Sequence, residues 1–171
     1  MSADALRAQL SFRNRALAPS SWNEFSTLWM AFNALYGGEP DKRERGRVMR
    51  VVRRALSDSA ALRVLRQVRA HVDRILEVPP GNPLLNRFDP RFRAASVRCA
   101  SLYRDSSESP TGRMAAVAGV LYQIRCNLIH GSKDPSSARD RMLVRESVIV
   151  LRALVPALEL AMAGEDVRAA D

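Results

Sequence analysis

Residues Arg113–His130 read RMAAVAGVLYQIRCNLIH, and this stretch decides the fold. Met114, Val117, Leu121, Ile124 and Leu128 recur at helical spacing, and Val120, Tyr122, Cys126 and Ile129 make most of the remaining circumference apolar as well. A helix that is apolar nearly all round belongs at the centre of a helical domain or in an interface between copies. Its C-terminal half nevertheless carries Gln123, Arg125, Asn127 and His130. Burying such a group without a partner costs about 1–3 kcal/mol, so these side chains must pair with one another, with other helices or with a ligand. At about 100° per residue, Gln123, Asn127 and His130 fall within about 60° of one another, and Arg125 lies about 140° from His130. Gly131 is expected to end the helix, which would leave His130 on the terminal turn, where a cation is favoured.

Upstream, Pro19-Ser20-Ser21 separates a first helix over residues 1–18 from a second that begins at Trp22. The apolar positions Trp22, Phe25, Leu28, Trp29, Phe32, Leu35 and Tyr36 keep a period of three and four until Gly37-Gly38 stops it. Aromatics at this spacing read as core rather than as a platform for stacking bases. Two basic helices follow, over about 41–57 and 59–77, with Arg43, Arg45, Arg47, Arg50, Arg53 and Arg54 interleaved with Val48, Met49, Val51, Val52 and Leu56 in the first. Val78-Pro79-Pro80-Gly81-Asn82-Pro83 must be a loop. Asp89-Pro90 is expected to open a short helix that runs to Tyr103. Downstream, Thr111 is expected to cap the central helix. A last helix beyond Asp134-Pro135-Ser136-Ser137 carries the stripe Leu143, Ser147, Val148, Leu151, Leu154, Val155 and Leu158, with a kink expected at Pro156. No segment alternates as a strand does. The expectation is an all-α, up-and-down bundle of five to seven helices: one domain over residues 1–163 and a frayed acidic tail at 164–171.

The 171 residues suit one domain, and 47 % hydrophobic content suffices for its core. No run of eighteen apolar residues and no basic-then-apolar start is present, so neither a membrane-spanning helix nor a secretory signal is expected. Cys99 and Cys126, far apart, suit a reducing cytoplasm. The formal charge is +9, carried by 25 Arg and 2 Lys. Arginine forks suit phosphate, and a GC-rich genome yields the same ratio. Between positions 41 and 74 stand eleven Lys/Arg and four Asp/Glu, so most of the excess lies in the two basic helices. That surface is either a solvated face or one that binds anions. Cys126 and His130 have C-x3-H spacing with no second pair nearby, so no metal is expected. Nor is there a Gly-rich phosphate loop, a nucleophile elbow or a carboxylate pair on an apolar face, and no cofactor is expected.

Arg125-Cys126-Asn127-Leu128-Ile129-His130-Gly131 resembles the R-x4-H motif of the HEPN superfamily, many members of which read R-x-N-L-x-H-G at this place. Phe25–Gly37, FSTLWMAFNALYG, is similar to the second helix of bacterial members, where W-x-A-F-N-A-L-Y strings recur. The resemblance implies a helical bundle, usually a homodimer whose two motifs face each other, and a metal-independent endoribonuclease that uses the RNA 2′-hydroxyl as nucleophile. Arg125 and His130 would be the catalytic pair, and Asn127 and Lys133 would support them. The basic helices would dock RNA through Arg43, Arg47, Arg50 and Arg54. A toxin, phage-defence or stress role is implied, with an antitoxin or defence-system partner. Ser132 stands where some toxins carry a tyrosine that a partner enzyme modifies, so that regulation does not carry over. The chemistry needs a base for the 2′-hydroxyl, an acid for the 5′-oxygen and positive charge on the phosphorane. Of the two histidines, His71 reads as a surface residue, so two copies of His130 across a dimer axis would divide the proton transfers. The other readings are a non-catalytic module that binds RNA, nucleotide or a partner protein, and a purely structural helical dimer.

Overall fold

The computed structural model describes residues 20–40, 43–82, 84–129 and 133–169. They form an all-α bundle of α1 (Ser20–Tyr36), α2 (Glu44–Ala55), α3 (Asp58–Glu77), α4 (Ala94–Arg104), α5 (Pro110–Ile129) and α6 (Ala138–Ala169), with no strand among the described residues. The expected helix over 1–18 and His130 lie outside them.

The apolar segment around which the bundle forms is α5. It packs on α2, α4 and α3, while α6 packs mainly on α1 and α3. Residues Met114–Leu121 of α5 are all buried. Gly119 permits the closest approach: a Cβ there would lie 3.0 Å from Cys99 Sγ on α4 and 3.2 Å from Met49 Sδ on α2. The α1 aromatics are core, as their spacing predicts. Trp22, Phe25, Trp29, Phe32 and Tyr36 are all buried, and Phe32 meets Trp29 and Tyr36 edge-on at centroid distances of 5.3 Å each.

Local hydrogen bonding moves two helix starts. Asp89 Oδ1 accepts from the Arg91 backbone N–H at 2.8 Å and so closes a turn, which leaves α4 to begin at Ala94 instead of at Pro90. The cap of α5 is Ser109, whose Oγ accepts from Gly112 N at 3.0 Å with Pro110 in the first turn. Thr111 instead donates its hydroxyl to Asp58 Oδ1 at 2.9 Å and ties α5 to α3.

Helix α6 contains Pro156 and continues through Gly164 to Ala169, into the stretch expected to fray. By length and mean hydropathy its segment Ala138–Gly164 is apolar enough to cross a membrane, although no uninterrupted apolar run exists. The expected exclusion therefore does not follow. The stripe Leu143, Leu151, Leu154 and Leu158 is fully buried in the bundle.

Candidate active site

The last turns of α5 gather the polar residues that the sequence singles out. Gln123 and Asn127 are each 6 % exposed, and a relay of hydrogen bonds satisfies them. Arg45 Nη2 donates to Gln123 Oε1 at 2.5 Å. Gln123 Nε2 donates to Asn127 Oδ1 at 3.0 Å, and Asn127 Nδ2 donates to the Gly81 carbonyl at 3.0 Å. Two amides one helical turn apart thereby join α2 to the loop after α3. The Arg45 guanidinium also lies 5.4 Å from the Tyr122 ring centroid.

Arg125 has a different partner. Its Nη1 donates to Glu44 Oε2 at 3.1 Å, and the other carboxylate oxygen accepts from Tyr36 Oη at 2.8 Å. Glu44 therefore aims the guanidinium from the first turn of α2 while Tyr36 holds Glu44 from the end of α1. Burial, then the Glu44 hydrogen bond and charge, push the Tyr36 phenol far above its ordinary range, so it stays a neutral donor. Tyr122 is pushed up to about 12 by burial first and then by Cys126 and Glu44. The Arg125 side chain remains 26 % exposed, with its Nε buried and unpartnered.

Two cavities flank this end of α5. One, of about 240 Å³, lies between α1 and α5 and is lined by Phe25, Trp29, Met30, Asn33, Arg125 and Leu128. The other, of about 420 Å³, is lined by Arg87, Phe92, Arg93, Asn127, Lys133 and Arg139. Arg125 and Asn127 thus face different cavities. The placement of His130 beside them lies outside the described residues.

The supporting residue Lys133 reaches the second cavity, with Nζ 2.5 Å from Asp140 Oδ1. Burial pulls its ammonium below the ordinary lysine range, and Asp140 opposes that shift. Of the four docking arginines, Arg43, Arg50 and Arg54 are exposed, and Arg54 pairs with Glu39 at 3.0 Å. Arg47 is half-buried, and its Nε has no hydrogen-bond partner. These four recur at helical spacing along one side of α2, about 160° from Arg45 on a helical wheel. None of them lines either cavity. The arginines that do stand beside the site are Arg45, Arg87, Arg93 and Arg139.

His71 is not a simple surface residue. Its Nδ1 lies 2.5 Å from Oε2 of Glu146, a carboxylate only 1 % exposed that also meets Arg74 at 3.2 Å and Arg145 at 3.0 Å. Burial pushes the Glu146 carboxyl up, but the His71, Arg145 and Arg74 contacts outweigh it and hold it below the ordinary range. Among the described residues, no three His, Cys, Asp or Glu side chains converge in a way that could hold a metal ion.

The fold and site define an all-α bundle with a polar, arginine-bearing end on its central helix. Compared with known proteins, the chain matches no family model, no curated protein and no solved structure.

Proposed function

We propose that the chain is a metal-independent endoribonuclease of the HEPN type that acts as a cytoplasmic homodimer in a toxin, phage-defence or stress setting. The observation that carries this reading is the Tyr36–Glu44–Arg125 relay. It holds a guanidinium in the wall of a cavity, five residues before His130 in an R-x4-H segment. A preorganised cation acts where charge develops, and the phosphorane of RNA cleavage is such a place.

In the reaction, a base takes the 2′-hydroxyl proton and the 2′-oxygen attacks phosphorus. The bond from phosphorus to the 5′-oxygen breaks, and an acid returns a proton to that oxygen. The products are a 2′,3′-cyclic phosphate and a 5′-hydroxyl. Arg125 neutralises the phosphorane, and His130 from each copy moves one of the two protons. No redox partner or cofactor enters the balance. An antitoxin or defence-system protein would restrain the activity.

The test is cleavage of RNA by the purified chain in excess EDTA, with Arg125→Ala and His130→Ala compared at matched circular dichroism. Loss in both folded variants supports the enzyme, and equal cleavage by either overturns it. A non-catalytic RNA-binding module is the second reading. It is favoured by the engagement of Asn127 with Gln123 and the Gly81 carbonyl, which makes that residue a structural tie. Salt-dependent RNA binding with no cleavage by the wild-type chain would select it.

A further inference from the structure

The loop between α3 and α4 and its surroundings carry cations that the cleavage chemistry does not use. The cavity of about 420 Å³ falls in the size range of small-ligand clefts, roughly 300–1,000 Å³. Arg87, Arg93, Lys133 and Arg139 line it, and no carboxylate does among the described residues. Asp140 pairs with Lys133 and its charge also reaches Arg139, whose Nη2 donates to the Val78 carbonyl at 2.6 Å, while no acid stands in the wall beside Arg87 and Arg93. Burial, and next the charge of Arg93, pull Arg139 below the ordinary arginine range, and Asp140 opposes that shift. Guanidinium forks at such a place suit phosphate oxygens.

A second observation narrows the ligand. The run Arg87-Phe88-Asp89-Pro90-Arg91-Phe92-Arg93 sets Phe88 and Phe92 each beside an arginine, with the Asp89 carboxylate between them taken up by Arg91 at 2.8 Å. Phe92 forms part of the cavity wall, with the Arg93 guanidinium 5.7 Å from its ring centroid. Phe88 is 79 % exposed under the Arg87 guanidinium at 4.8 Å. An exposed ring beside phosphate-binding arginines is the arrangement by which proteins hold single strands: bases stack, and cations track the backbone. Free phosphate would have no use for Phe88.

We propose that this cavity and the Phe88–Phe92 turn form a nucleotide subsite that holds a single RNA strand beside the cleavage site, with a backbone phosphate between Arg87, Arg93 and Arg139 and a base against Phe88. The subsite deepens the ribonuclease reading by supplying a substrate grip within a cavity wall, where Arg43, Arg47, Arg50 and Arg54 do not stand. Asn127 belongs to the wall and to the relay on α5, so the subsite adjoins the motif helix itself.

The test uses the full chain and a fluorescein-labelled, 2′-O-methylated single-stranded oligonucleotide, which has no free 2′-hydroxyl and so cannot be cleaved. Binding is read by fluorescence anisotropy across a salt series. Arg93→Ala and Arg139→Ala are each expected to weaken binding about ten-fold and to lower the salt slope by about one. Phe88→Ala, at an exposed position where folding is not at stake, is expected to weaken binding about ten-fold without changing the slope. Arg66→Ala, on the exposed side of α3, should leave binding unchanged. Wild-type affinity in all three cavity variants would overturn the subsite, as would failure of the wild-type chain to bind. An equal affinity for adenosine 5′-monophosphate would also overturn it, because the strand would then add nothing. Cleavage is not read in this assay, so the subsite stands or falls independently of Arg125 and His130.

Discussion

Arg125 and Asn127 stand two residues apart on α5, yet they face opposite electrostatic settings. The Arg125 cavity is walled by Phe25, Trp29 and Leu128, and its guanidinium is matched by Glu44. On the Asn127 side a neutral amide stands among Arg87, Arg93 and Arg139, with no carboxylate in the described wall. On one side a single charge is aimed, and on the other Asp140 is the acid that meets Lys133 and Arg139, with none in the described wall beside Arg87 and Arg93. On the ribonuclease reading the difference would be a division of labour, in which one side does chemistry on a phosphate and the other holds the strand.

The strongest way to break that division is kinetic. Arg125→Ala and His130→Ala should each lower cleavage at saturating RNA by about 10²–10⁴-fold, the usual range for loss of a charge stabiliser or a proton-transfer group. Arg93→Ala should raise KM about ten-fold with kcat little changed, as expected for lost uniform binding to phosphate. If Arg93→Ala lowers kcat as far as Arg125→Ala does, the two sides are one site.

Glu44→Ala sharpens the comparison at its hinge. It removes the acceptor shared by Tyr36 and Arg125, and urea unfolding should show a loss of about 1–3 kcal/mol. The same variant should lower kcat through a misaimed Arg125 while oligonucleotide binding stays within two-fold.

A control away from both cavities is Glu146. Its pKa is depressed in the folded chain, so its ion pairs add stability above the ordinary carboxylate range and lose that contribution as the pH falls through the depressed value. At pH 7 Glu146→Gln should be about 1–3 kcal/mol less stable than wild type. By pH 3 the gap should narrow, and RNA binding at pH 7 should be unaffected. A constant gap across that range would show that the carboxylate charge is not what the cluster needs. The smallest effect belongs to Tyr36→Phe, at about 1 kcal/mol in the same unfolding assay, because Glu44 keeps its contact with Arg125.

Apolar patterning made the bundle legible, both where burial is one-sided and where it is nearly complete. The stripe Trp22–Tyr36 and the nearly all-apolar α5 announce themselves, and both are core. Helix starts were less readable because side-chain competition sets them. Asp89 serves a turn, and Ser109, not Thr111, caps α5. The polar load of α5 signalled that partners must exist, but not which. Glu44 and Arg45 lie 81 and 78 residues from the side chains they meet, and no local pattern encodes that pairing. Net charge drew attention to α2 and α3, yet Arg43, Arg47, Arg50 and Arg54 miss both cavities. The arginine–phenylalanine pairs at 87–88 and 91–93 were a readable signal that the larger surplus elsewhere obscured.

The tie between Asn127 and the Gly81 carbonyl spans another 46 residues, so Gln123, Arg125 and Asn127 are each joined to another part of the bundle by a long-range contact. Closing such loops costs entropy before any contact rewards it, and interactions of this kind form late in folding. During synthesis α1 to α4 emerge first and carry Glu44, Arg45 and Gly81, but none of the groups that they orient. On the ribonuclease reading, the chain therefore cannot cut the message that encodes it until α5 has left the ribosome and docked. Completion of the fold is then itself the switch that arms the protein.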